Sequence, residues 1–301
     1  MYHKNLLILL IPVLFASLIF FGCKKKDDAA KTVISVKGSD TMVNLSQRWA
    51  EVYMEKNPNV SIQVTGGGSG TGIAAIINGT TDIANSSRDM KDNELETARG
   101  KNVNPKQYEV ALDGIALIVH PENGIDSLTV QQVSDIFIGK INNWNQIGGN
   151  NMPITLYGRE NSSGTYEFFK EHVLGKNAAG RANDYANSTQ VLQGTAALGE
   201  AVARDKKGIG YGGVGYFAHR TDVKILHIKA DQNSPAISPS ENSKVNYDAI
   251  WDGTYSISRY LYCYIDEKKT EGEIQKFMDF ILSSDGQKLV ETMEYIPLPT
   301  K

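Results

Sequence analysis

Cysteine is nearly missing: Cys23 and Cys263 are the two in 301 residues, too few for the disulfide framework of a small secreted domain. Neither sign of charge is in large excess. With 31 Lys and Arg against 34 Asp and Glu, net −3, the chain lacks the basic footprint that nucleic acid or an anionic surface selects, and no nucleic-acid partner is expected. Five histidines, His3, His120, His172, His219 and His227, are scattered without ligand spacing, so no metal site is read. Gly-x-Ser-x-Gly, Gly-x-x-x-x-Gly-Lys and His-Glu-x-x-His are all missing, which removes the usual anchors of hydrolase, nucleotidase and zinc-enzyme readings. No internal repeat or low-complexity tract interrupts the chain. What is present is ample apolar material, 41% of residues, enough for two medium packed domains.

Residues 1–22 form a separate object. His3 and Lys4 open a short basic region, and Leu6 to Phe21 runs without a charge, interrupted by Pro12. That run is short for a spanning helix, which needs about 20 apolar residues, so it reads as an export signal. Phe20-Phe21-Gly22-Cys23 resembles a lipobox, with small Gly22 in place and Phe20 where Leu is usual. Cys23 is then the lipidated first residue of the mature chain, and residues 23–32, with Lys24-Lys25-Lys26-Asp27-Asp28, form a tether. Cys263, within the apolar Tyr260 to Ile265, is expected in a core.

From Val33 the pattern alternates short β-rich runs with helical ones. Val33 to Val36 and Val60 to Val64 read as strands, and Met42 to Lys56 and Gly72 to Asn78 as helices. Met42, Leu45, Trp49 and Val52 make an apolar stripe on the first helix, and Asn57-Pro58 ends it. A further βα unit starts near Gly114, with strand Ile115 to Val119 and helix Val130 to Phe137. Then come strand Ile154 to Tyr157, helix Tyr166 to Leu174, strand Ile209 to Tyr211, a loop from Asp231 to Lys244, a long strand from Tyr255 to Ile265, and closing helices Glu273 to Leu282 and Gly286 to Met293. Such alternation predicts an α/β protein with a mainly parallel sheet covered by helices on both faces.

Three segments share one design: strand, small hydroxyl-rich turn, first turn of a helix. They are Gly38-Ser39-Asp40-Thr41, Gly66 to Gly72, and Arg159 to Thr165. Each leaves backbone N–H groups unpaired at the positive end of a helix and adds Ser or Thr hydroxyls as donors. Any one of them alone is ordinary N-capping. Three together, with Ser86-Ser87-Arg88 and the planar guanidinium of Arg159, predict convergence on one oxyanion.

These segments, with Asp82 to Arg88 and Asp135 to Lys140 followed by Asn143-Trp144, resemble in order the phosphate-binding proteins of phosphate ABC importers. The resemblance covers nearly the whole mature chain. It implies a two-lobed type II periplasmic-binding fold, each lobe a mainly parallel sheet flanked by helices, with two crossovers between them. Residues 33–113 plus 256–301 would make lobe one and 114–255 lobe two. It implies capture of inorganic phosphate in the cleft and delivery to the membrane permease subunits of the importer, by a monomer held on the cell envelope through its lipid anchor, with no cofactor and no enzymatic activity. Carried over by motif, the ligands are Thr41, the N–H of Met42, Ser69, Ser87, Arg159, Ser163, the N–H of Gly164, and Thr165. Ser39, Asp40, Gly70, Thr71 and Arg88 are further candidates.

The sequence departs from the family at Ser87, where many members carry an Asp that accepts the proton of phosphate. A hydroxyl can donate or accept, so receptors for sulfate or molybdate, and an anion sensor or surface scaffold without transport, stay open as alternatives. Asn161 replaces an acidic residue that orients the arginine in some relatives, a role open to Glu160. Arg88 either adds charge to the site or pairs with Asp89 or Asp92. Asp135 to Trp144 reads as packing of lobe two, since Ile136, Phe137 and Trp144 are core-like. Gly208, Gly210 and Gly213 fit Gly-x-Gly-x-x-Gly, with Asp231 about 20 residues on. No adequate helix follows them, so no dinucleotide site is read.

Overall fold

A computed structural model describes residues 31–299 and opens on β1 (Thr32–Gly38). The signal segment 1–22, Cys23 and nearly all of the tether lie outside the described residues. Ile34 and Val36 point into the core, and one 3₁₀ turn at Asp40–Met42 leads into α1 (Val43–Lys56). The stripe on α1 buries Leu45 and Trp49 as expected and then Tyr53, while Val52 is only half-buried and Met42 is buried in the turn before the helix. There follow β2 (Val60–Thr65), α2 (Ser69–Ile77), β3 (Ile83–Ser86), α3 (Asp92–Gly100) and β4 (Pro105–Val119). α2 begins three residues before the expected Gly72. Gly68, at φ +90°, turns the chain so that Ser69 already lies in the first helical turn.

The second half contains β5 (Ser127–Thr129), α4 (Val130–Phe137), β6 (Thr155–Arg159) and α5 (Gly164–Phe169), prolonged by a wider π turn at Lys170–Leu174. β7 (Gln190–Leu192), α6 (Gly194–Arg204), β8 (Gly208–Gly213) and α7 (Val214–Phe217) come next. β9 (Lys224–Ile225), β10 (His227–Lys229), β11 (Ser240–Glu241), β12 (Lys244–Val245) and α8 (Tyr247–Trp251) complete it. The loop expected from Asp231 to Lys244 thus holds a small antiparallel ladder of β11 and β12. The chain returns through β13 (Ser258–Asp266), α9 (Gly272–Leu282) and α10 (Ser284–Thr292). The glycines of the Gly-x-Gly-x-x-Gly match lie on β8, and α7 after them has four residues, too short to seat a dinucleotide pyrophosphate.

The large sheet has the order β2-β1-β3-β13-β4-β8-β6-β7, with β9 also on β4. Its flanks are parallel: β1 with β2 and β3, β6 with β7 and β8. Its middle is antiparallel, β13 with β3 and β4, and β4 with β8. The expected parallel sheet therefore describes the flanks alone. The middle strands carry the chain from one half to the other and back, so they must run in opposite directions. β4 pairs with β13 from Pro105 to Gly114 and with β8 from Ile115 to Val119.

Each half packs its own core. Ile34, Leu45, Trp49, Phe277 and Met278 fill one face of the first half, and Ile73, Ile76, Ala84 and Tyr264 the other. The second half packs around Ile115 to Val119, Phe137, Phe169, Tyr211 and Phe217, with the rings of Phe169 and Tyr211 stacked 4.0 Å apart. Ile136, Phe137 and Trp144 are buried there, consistent with a packing role for that segment. Among the described residues no helix is long and apolar enough to cross a membrane.

Cys263 sits on β13, buried, with its thiol donating to Asn85 Oδ1 at 3.3 Å. Burial pushes this thiol up to about 12, and the thiolate is the reactive form. In protein carrying Cys23→Ser, native Cys263 should resist a maleimide at pH 8 and react fully in urea. Rapid labelling of the native protein would contradict the buried placement.

Candidate functional site

Four chain segments reach one place because four strands end there. β1, β2 and β3 run parallel, and the turns after their carboxyl ends carry Thr41, Ser69 and Ser87. The turn after β6 brings Ser163, Gly164 and Thr165 from the second half. Carboxyl ends of parallel strands are where open α/β sheets bind ligands.

One hydroxyl pair meets across the boundary between the halves, and a second forms within the first half. Thr41 Oγ1 lies 3.1 Å from Thr165 Oγ1, and Ser69 Oγ lies 3.2 Å from Ser87 Oγ while accepting the Ser87 N–H at 3.0 Å. Gly164 lies against the serine pair. A Cβ there would come within 2.1 Å of Ser69 Oγ and 2.5 Å of Ser87 Oγ, so only glycine fits. Gly70 N–H donates to Ser162 O at 3.0 Å, a direct backbone bond between the halves. Ser163 caps α5 by accepting the Tyr166 N–H at 3.3 Å. The cap uses a lone pair of Ser163 and leaves its hydrogen free to donate, so capping and ligand binding do not compete.

Arg159 ends β6 and is 1% exposed, so its charge needs partners. Its Nε and Nη2 donate to the two oxygens of Glu160 at 3.0 and 2.8 Å, Nη1 to Thr195 Oγ1 at 2.9 Å, and Nη2 also to Asp40 Oδ2 at 3.2 Å. Burial raises Glu160, but the bond to Arg159 outweighs it and holds the carboxyl below its usual range. Glu160 thus orients the arginine, the role left open beside Asn161. Asp40 ties the halves together, since Oδ1 accepts the Gly67 N–H at 2.8 Å while Oδ2 faces Arg159.

Other candidates face elsewhere. Thr71 donates back into its own loop, to Gly67 O and Gly68 O. The Met42 N–H donates to Ser39 O at 3.0 Å, and the Ser39 N–H to Asn85 O. Arg88 pairs with Glu94 through Nη1 and Nη2, both at 2.8 Å, rather than with the expected carboxylates of Asp89 or Asp92. Glu94 is the residue placed to answer it, because its carboxylate also accepts the Lys91 N–H and caps α3.

Two residues escaped the sequence reading. Arg259, on β13, donates through Nη2 to Thr165 Oγ1 at 2.8 Å and to Asp113 Oδ2 at 3.0 Å, and lies 3.4 Å from Thr41 Oγ1. Asp113 faces it in register on β4. The available signal was a lone arginine within the apolar run Tyr255 to Ile265. Among the described residues no group of three or more His, Cys, Asp or Glu side chains could hold a metal ion. The assembled chemistry is a set of hydroxyl and amide donors with two guanidinium groups, Arg159 and Arg259, suited to a small oxyanion.

A family model described as the PBP superfamily domain matches residues 25–285. The chain is 34% identical over 284 residues to the phosphate-binding protein PstS of Pseudomonas aeruginosa, covering 89% of this chain and 84% of that protein. It is 30% identical over 282 residues to PstS of Staphylococcus saprophyticus, covering 91% and 83%. Among solved structures it is similar to a substrate-binding protein from Clostridium perfringens, assigned to a phosphate ABC transporter and crystallised with bound phosphate. The TM-score there is 0.75 and the identity 30%, over 89% of this chain and 100% of that one. An ABC-type phosphate transport receptor from Vibrio cholerae gives 0.70 and 26%, over 88% and 100%.

The Arg88–Glu94 pair yields a prediction with a definite sign. Burial raises Glu94, but the bonds from Arg88 and Lys91 hold it below its ordinary 4.5. Its stabilisation is present above pH 4.5 and is lost as pH falls through the lower folded value. Glu94→Gln leaves Arg88 unpaired and should cost at or below the about 3–5 kcal/mol of a fully buried pair. In urea melts the gap between parent and variant should narrow below pH 4.5. A gap independent of pH would show that the pair is not the cause.

Proposed function

This chain belongs to the PBP superfamily and to its PstS phosphate-binding proteins, and from that premise we infer that it captures inorganic phosphate between its halves for an ABC importer. The observation that carries this reading is the Thr41–Thr165 hydroxyl pair across the halves, with Gly164 of the second half packed on the Ser69–Ser87 pair of the first and Arg159 held by Glu160, Thr195 and Asp40. We assign phosphate binding to Thr41, Ser69, Ser87, Arg159, Ser163, Gly164 and Thr165, and to the Met42 N–H, which would exchange its bond to Ser39 O for one to the anion. The first lobe is taken as residues 33–113 plus 256–301 and the second as 114–255, a division supported by the separate cores and by the strand pair β4/β13.

Phosphate would replace the Thr41–Thr165 hydroxyl bond with bonds to its own oxygens, while the Ser69–Ser87 bond persists. Arg159 has five N–H groups, of which four bonds go to Glu160, Thr195 and Asp40, leaving one on Nη1 for the anion. Ser87 is suited to receive the phosphate proton. Its own hydrogen has an acceptor in Ser69 Oγ at 3.2 Å, which frees the Ser87 lone pairs, whereas sulfate brings no proton to them. The anion stabilises the closed arrangement because it bonds both halves at once. The reading is of a binder rather than a catalyst, in keeping with the phosphate-binding relatives. Delivery to permease subunits, a monomeric state, export and a lipid anchor at Cys23 complete the reading.

Titration calorimetry of refolded, ligand-stripped protein should give one phosphate per chain and far weaker sulfate binding. Ser87→Ala should weaken phosphate by about 10-fold or more, one hydrogen bond to a charged partner being worth about 1.5–3 kcal/mol, and sulfate by less. Equal affinities of the parent for the two anions would sink the phosphate assignment, and equal losses in the variant would sink the acceptor role. For the anchor, Cys23→Ser should abolish lipid labelling and release the protein from membrane fractions. Labelling that persists in the variant would contradict the lipobox.

A further inference from the structure

Arg259 is a second guanidinium at the cluster, and nothing in its role as partner of Asp113 requires it to touch Thr41 and Thr165. It is 6% exposed, its Nη1 is buried without a hydrogen-bond partner, and its guanidinium lies 5.3 Å from the centre of the Phe168 ring, which fixes its plane. Its Nη2 reaches Thr165 Oγ1 of the second half at 2.8 Å and Thr41 Oγ1 of the first at 3.4 Å.

A threonine oxygen has one hydrogen and two lone pairs. An oxygen that accepts from a guanidinium must turn its own hydrogen away from it. We propose that Arg259 is a positioning residue that forces the Thr165 hydroxyl, and with it Thr41, to present hydrogens to the bound anion. Each threonine then spends a lone pair on Arg259 and turns its hydrogen toward the anion, and the proton of phosphate is directed to Ser87. Because Arg259 stands on β13, which passes between the halves, it reaches both threonines when they are together and is a site residue of the closed form. Asp113 balances its charge through a shared oxygen, Oδ2, so Arg259 contributes direction more than net attraction.

The inference rests on the phosphate reading, and a double-mutant cycle separates the two. Phosphate is titrated into the parent, Arg259→Lys, Thr165→Val and the double variant, each checked for an unchanged thermal transition cooperativity. Lysine keeps the charge opposite Asp113 but cannot hold the planar fork. Each single variant should lose about tenfold in affinity, as for one hydrogen bond to a charged partner. The double variant should lose little more than either, because both remove the same oriented hydroxyl. Losses that multiply, or Arg259→Lys within twofold of the parent, overturn the proposal. A parent that takes up no phosphate overturns it together with the reading beneath it.

Discussion

Everything about the cleft depends on two strands that do not stop at it. β4 and β13 pair antiparallel across the junction of the halves, and Asp113 and Arg259 face one another there in register. Burial raises the Asp113 carboxyl and lowers the Arg259 guanidinium, with each partner opposing the other's shift. Two charges taken out of water persist only when paired and hydrogen-bonded. The ion pair thus ties β4 to β13 in register at the junction of the halves. The same ion pair reaches Thr165, so the junction and the candidate site share a side chain.

The site holds its ligand with little net charge. Arg159 is answered by Glu160 and Asp40, Arg259 by Asp113, and Arg88 by Glu94. A receptor built this way recognises an anion by the direction of its hydrogen bonds, because hydroxyls and amides discriminate by geometry where a bare positive patch would accept any anion. The serine at the head of α5 spends a lone pair on the helix and keeps its hydrogen available as a donor. That economy explains why capping residues and binding residues coincide here.

The sequence made much of this legible. Glycine beside serine and threonine after a strand is a local signal, and the turns around Thr41, Ser69 and Gly164 lie where that signal predicts. The α1 stripe, α4 and the closing helices follow from apolar spacing alone. Glu160 was readable as the partner of Arg159 because it is the next residue in the chain. Less legible were β3, α3, α6 and the first part of β4. α3 buries Ala98 alone, and the edge-facing start of β4 is polar, so neither presents the periodicity that marks an element.

Sequence by itself determined the kinds of donor, their placement at helix starts, and the α/β alternation, since capping, glycine conformations and apolar periodicity act over a few residues. Tertiary structure alone decided which donors meet. The partners of Arg259 lie 94, 146 and 218 residues away, and the Ser69–Ser87 pair forms only because β1 holds β2 and β3 on its two sides. Arg88 turned to Glu94 rather than to nearer carboxylates because α3 brings Glu94 over it. Such choices depend on strand order and on which charges lose their water, and neither is encoded in the spacing of residues along the chain.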